Sequence, residues 1–98
     1  MRVGIVGAGN YANYHVRFAK AYAAARIVGI ADIDTDRAER YVRSYAADRA
    51  YSSVAEMLSE ARPDVVHVVT PPSTHVAVAK EAIEAGSHVL VEKPLALD

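Results

Sequence analysis

Short apolar runs alternate along this chain with longer stretches in which apolar residues recur at helical spacing. Arg2 to Gly7, Ile27 to Asp32, Ala50-Tyr51, Asp64 to Thr70 and Ser87 to about Glu92 are the apolar runs, each bounded by turn residues. Uninterrupted runs of this length are what strands buried on both faces require. The first intervening stretch predicts a helix from about Tyr11 to Ala24, with Ala12, Val16, Ala19 and Ala23 on one face. The Asp-rich turn Asp32-Ile33-Asp34-Thr35-Asp36 supplies caps and favourable first-turn charge for a second helix, which carries Ala38, Tyr41, Val42 and Tyr45. Ser53 and Glu56 form a capping box that starts a third helix, running through Ala61 until Pro63 stops it. The fourth helix is predicted to be capped by Ser73, to face the sheet with Val76, Ala79 and Ile83, and to run to Ala85 before Gly86 ends it.

Strands alternating with helices of this length specify βαβ units and a parallel sheet. Right-handed crossovers with the usual doubly wound order then arrange the five strands as 3-2-1-4-5, a Rossmann-type doubly wound α/β domain over residues 1–98. Its ligand crevice is expected where the winding reverses, between strands one and four. The last strand, Val89-Leu90-Val91, falls at a sheet edge and invites self-association. The final Leu95-Ala96-Leu97-Asp98 resembles the lead-in and cap of one more helix, so the chain is expected to stop before a C-terminal α/β domain.

Composition narrows the function. The 98 residues hold 11 Lys and Arg against 12 Asp and Glu, for a net charge of −1, with the signs interspersed. Neither nucleic acid nor an anionic membrane is an expected partner. With no cysteine, disulfides, thiolate metal sites and thiol nucleophiles are excluded, which suits a cytoplasmic protein. No apolar stretch reaches the roughly 18 residues of a spanning helix. His15, His67 and His88 lack partners at metal-ligand spacing, so no metal site is expected, and His67 reads as a buried or interface histidine.

The chemistry lies first in Gly7-Ala8-Gly9-Asn10-Tyr11-Ala12, which fits G-x-G-x-x-G/A between a strand and a helix. Gly7 allows the tight turn, Gly9 lets the backbone approach a pyrophosphate, and free amides at the helix start donate to phosphate oxygens. Ala12 stands at the third glycine position, and the Tyr11 ring is placed to cover a dinucleotide. Asp32 follows Gly9 by 23 residues (32 − 9), close to the position, about 20 residues on, where an acid hydrogen-bonds the ribose hydroxyls of NAD. The competing role for Asp32, as for Asp34 and Asp36, is helix capping. A 2′-phosphate about 4 Å from the Asp32 carboxylate meets repulsion on the order of 4 kcal/mol per unit charge, which favours NAD. Arg37 offsets part of that repulsion, which leaves NADP as the alternative cofactor.

Val69-Thr70-Pro71-Pro72-Ser73-Thr74-His75, then Ala82 to Gly86, His88 and Val91-Glu92-Lys93-Pro94-Leu95, together with the glycine loop, resemble the glucose-fructose oxidoreductase / inositol dehydrogenase (Gfo/Idh/MocA) family over the whole chain. The resemblance implies that Lys93 lies near nicotinamide and substrate and assists proton movement at the carbinol. It implies further that Glu92, Thr70 and Pro71 border the cofactor, whereas His75 either reaches the nicotinamide side or caps and packs its helix. A parent enzyme of this kind transfers hydride between NAD(P) and a hydroxyl carbon of a sugar, cyclitol or related substrate, using a second domain for the pocket. The chain alone is then expected to bind dinucleotide without turnover. Two other readings stand beside this one: a non-catalytic dinucleotide sensor or interaction protein, and a structural fragment without ligand.

Overall fold

The computed structural model describes residues 1–7, 25–69 and 72–91, with the backbone alone at Tyr45, Pro72, Ser73, His75 and Val91. Its elements are β1 (Arg2–Val6), β2 (Arg26–Ala31), α1 (Thr35–Tyr45), β3 (Ala50–Tyr51), α2 (Val54–Ala61), β4 (Val65–Val68), α3 (Pro72–Glu84) and β5 (His88–Val91). The strands form one parallel sheet in the order β3-β2-β1-β4-β5, as the alternation of elements predicts. The helix expected from Tyr11 to Ala24 lies outside the described residues. No helix among the described residues is long and apolar enough to cross a membrane.

Each face of the sheet carries its own core. On one face Val6, Val28, Ala31, Val66 and Val68 pack under α2 and α3 through Met57, Leu58, Ala61 and Ala82. On the other face Val3, Ile5, Ile27 and Ile30 pack under α1 through Ala38, with Tyr41 and Val42 alongside. Burial on both faces is the reason these strands read as apolar runs rather than as an alternation.

A notch in the sheet seats α2. The register of β1 against β2 shifts between Val3 and Gly4, which brings Gly4 opposite Gly29. A Cβ on Gly4 would stand 2.9 Å from Met57 Cε, and one on Gly29 would stand 2.9 Å from both Met57 Cγ and Tyr51 Cε2. The paired glycines therefore leave the space that the fully buried Met57 fills.

Helix ends follow local chemistry. Asp34 caps α1 by accepting from the Arg37 amide, and Ser53 caps α2 by accepting from the Glu56 amide at 3.2 Å. At the end of α3, Gly86 N–H donates to Ile83 O and Ser87 N–H to Ala82 O, the paired bonds of a Schellman motif. Both α1 and α2 instead end on non-glycine residues in the left-handed region, Ala46 (φ 55°) and Arg62 (φ 48°).

Two expectations about α3 are corrected. The helix begins at Pro72, so Ser73 lies inside its first turn rather than at its cap. Proline suits the first helical position because it has no amide hydrogen to leave unsatisfied. The face turned to the core carries Val78 and Ala82, whereas Val76 and Ile83 are 78% and 61% exposed. Apolar residues surround α3, so helical spacing alone did not select the buried stripe; the small Ala82 lets the helix approach the sheet. Leu90, on edge strand β5, is 49% exposed.

Candidate cofactor site

Gly7 leaves β1 at φ 93°, where an L side chain is strained. Its amide donates to the Ala31 carbonyl at 2.8 Å, which ties the turn to the last residue of β2. On the other side of β1, Val69 N–H donates to the Val6 carbonyl at 2.9 Å. The ends of β2, β1 and β4 are thus held side by side at the carboxyl edge of the sheet. From β1 the chain winds first toward β2 and β3, then crosses to β4 and β5, so the reversal opens a crevice between β1 and β4.

Asp32 follows β2 directly, one residue beyond the strand end at Ala31. Its amide donates to the Tyr51 carbonyl at 3.1 Å, so β3 anchors its backbone. Its Oδ1 accepts from the Asp34 amide at 2.8 Å, and its Oδ2 lies 4.0 Å from Arg37 Nη1. The side chain is only 8% exposed. The capping role belongs to Asp34, whose Oδ1 accepts from the Arg37 amide at 3.1 Å. Asp32 is a separate carboxylate, oriented by the turn and one residue past the Ala31 carbonyl that accepts from the Gly7 amide.

Arg37 occupies the first turn of α1 with its guanidinium leaning over both acids, 3.6 Å from Asp34 Oδ2 through Nη2. The Asp34–Arg37 pair at i, i+3 is a contact that the sequence reading passed over, although its spacing is a standard helical one. The backbone carbonyl of Ala31 was also missed, since no side chain marks it.

Of the residues singled out from the sequence, Gly7, Asp32 and Arg37 are brought together here. Gly9, Asn10, Tyr11, Ala12, Thr70, Pro71, Glu92 and Lys93 lie outside the described residues. His75 belongs to the start of α3, and its side chain lies outside the described atoms. His67 is the penultimate residue of β4, half-buried and in register with Ile5 and Leu90.

Wound outward in both directions from β1, the sheet is of the class that binds dinucleotides at its carboxyl edge. A sequence model of the oxidoreductase family with an NAD-binding Rossmann fold matches residues 1–98. The chain belongs to that family, Gfo/Idh/MocA. It is 42% identical over 99 residues to UDP-N-acetylglucosamine 3-dehydrogenase of Acidithiobacillus ferrooxidans, a match covering 100% of this chain and 30% of that protein. Inositol 2-dehydrogenase 1 of Saccharopolyspora erythraea is 39% identical over 99 residues, covering 98% of this chain and 29% of the relative. Among solved structures, myo-inositol dehydrogenase from Lactobacillus casei in complex with NAD(H) and myo-inositol superposes with a TM-score of 0.86 at 30% identity. That match covers 98% of this chain and 29% of the other. The chain spans about 30% of the length of the curated relatives it matches.

Proposed function

We propose that residues 1–98 are the dinucleotide-binding domain of an NAD-dependent dehydrogenase acting on a hydroxyl carbon of a sugar, cyclitol or related substrate. The observation that carries this reading is the juxtaposition of the positive-φ Gly7 turn with the Asp32 carboxylate, joined through the Gly7 amide and the Ala31 carbonyl. That arrangement fits NAD: a Cβ-free turn admits a pyrophosphate, and a preoriented acid accepts from ribose hydroxyls.

Gly7, Gly9 and the amides of Asn10, Tyr11 and Ala12 would hold the pyrophosphate, with the Tyr11 ring laid over the dinucleotide. Asp32 would hold the adenosine ribose, its second oxygen fixed by the Asp34 amide so that little ordering is needed on binding. Thr70, Pro71, His75 and Glu92 would border the nicotinamide half. When bound, NAD supplies the two-electron hydride acceptor. Lys93, restricted in its backbone by Pro94, would hold and move the proton at the substrate carbinol oxygen.

Calorimetric titration of the 98-residue chain with NAD and NADP tests the reading, with Gly9→Val and Asp32→Ala alongside. Tighter binding of NAD than NADP, weakened at least tenfold by each substitution, is the expected result. Absence of binding by the unsubstituted chain would overturn it.

A further inference from the structure

We propose that Tyr51 is a positioning residue for the cofactor: its ring, packed between the Gly29 backbone, Met57 and Arg49, holds β3 against β2 and thereby fixes the Asp32 carboxylate. The proposal rests on the dinucleotide reading of the Gly7–Asp32 edge and extends the site to a buried ring under α2.

The need for an anchor comes from the length of β3. The strand has two residues, and Ala50 and Tyr51 pair with Ile30 and Ala31 of β2. A ladder so short does not hold an edge strand by its hydrogen bonds alone. The backbone leading into the site nevertheless leans on it. Ile30 N–H donates to Arg49 O at 3.0 Å, and Asp32 N–H donates to Tyr51 O at 3.1 Å. From that tied amide the chain enters the turn in which Asp32 Oδ1 accepts from the Asp34 amide.

The Tyr51 side chain supplies the anchor. The residue is 5% exposed, and a Cβ on Gly29 would stand 2.9 Å from its Cε2, so the ring lies on the β2 backbone three residues before Asp32. Met57 enters the same notch from α2. Arg49 Cζ stands 5.2 Å from the ring centroid, and Arg49 Nη1 reaches Glu60 Oε1 of α2 at 2.8 Å. That ion pair is exposed at both side chains and contributes little by itself. Burial of the ring is what clamps β3 between β2 and α2.

A carboxylate that must accept from ribose hydroxyls binds best when nothing has to be ordered on binding. Asp32 meets that condition only while its amide stays on Tyr51 O. Loss of the ring frees β3, loosens the turn and costs affinity through Asp32 alone. A double-mutant cycle therefore separates positioning from general support of the fold.

The test measures the dissociation constant of NAD for the unsubstituted chain, Tyr51→Phe, Tyr51→Leu and Tyr51→Ala, each with Asp32 present and with Asp32→Ala. Thermal unfolding checks that each is folded, and Tyr51→Leu keeps an apolar side chain in case the alanine variant does not fold. Amide hydrogen exchange is read at Asp32 and at Val69, whose bond to Val6 lies beyond β1. Tyr51→Leu and Tyr51→Ala are expected to weaken NAD about tenfold and to speed exchange at Asp32 relative to Val69. Tyr51→Phe, which keeps the ring, is expected to restore both. With Asp32→Ala in place, the same substitutions are expected to leave the residual NAD affinity unchanged. Unchanged NAD affinity in folded Tyr51→Leu, or an equal loss with and without Asp32, would overturn the positioning role while leaving the NAD site intact. Failure of the unsubstituted chain to bind NAD would overturn the dinucleotide reading and this proposal with it.

Discussion

At the residue scale, two kinds of glycine behave differently. Gly7 is required by its backbone, since φ 93° costs an L residue about 1–2 kcal/mol. Gly7→Ala is expected to lower stability by that amount in chemical denaturation and to weaken NAD by displacing the turn. Gly4 and Gly29 are required by what lies over them, because any Cβ meets Met57. Met57→Ala is expected to cost about 2–5 kcal/mol, read from the denaturation midpoint, as a fully buried side chain leaves a cavity over the sheet. The Gly7 role was legible in the sequence because a glycine fingerprint after a strand has one mechanical meaning. The Met57 notch was not, because it depends on a register shift between β1 and β2 that no local pattern encodes. Asp32 fell between: its position was readable, but only the structure separated it from the capping Asp34.

At the element scale, the strands and described helices follow from apolar runs and caps, with boundaries moved by a residue or two. Ser53 was identified from its spacing to Glu56, and its hydroxyl accepts from the Glu56 amide. Ser53→Ala is expected to cost about 1 kcal/mol by thermal or chemical unfolding. The left-handed Ala46 at the end of α1 points the other way. Ala46→Gly is expected to stabilise by roughly 0.5–1 kcal/mol, since glycine relieves the strained φ at some cost in unfolded-chain entropy. Of the predicted sheet-facing residues of α3, Val76 and Ile83 are exposed; their helical spacing is no better a guide than that of Val78 and Ala82. Packing against β4 and β5 decides between them, and that information is tertiary.

At the scale of the whole molecule, alternation of elements and crossover handedness, taken with the usual doubly wound order, predict the strand order 3-2-1-4-5 that the sheet adopts. The same topology brings Gly7, Asp32 and Val69 to one edge although they are far apart in sequence. A pH dependence belongs to this scale as well. Burial, and next the charge of Glu60, raise the Tyr51 hydroxyl above its ordinary value of 10.0. Above about pH 10 the unfolded chain therefore ionises while folded Tyr51 keeps its proton, and stability present at lower pH is lost as pH rises toward the folded value. Tyr51→Phe is expected to flatten that alkaline fall in melting temperature while keeping the ring against Gly29.

The most direct measurement is an amide-resolved NMR titration of the chain with NAD. Binding in the crevice predicts saturable shifts at Gly7, Ala31, Asp32, Asp34 and Val69, on the carboxyl edge of the sheet. Shifts confined to the opposite edge, around Arg62, Asp64 and His88, or no shifts at millimolar NAD, would contradict a dinucleotide site built on Gly7 and Asp32.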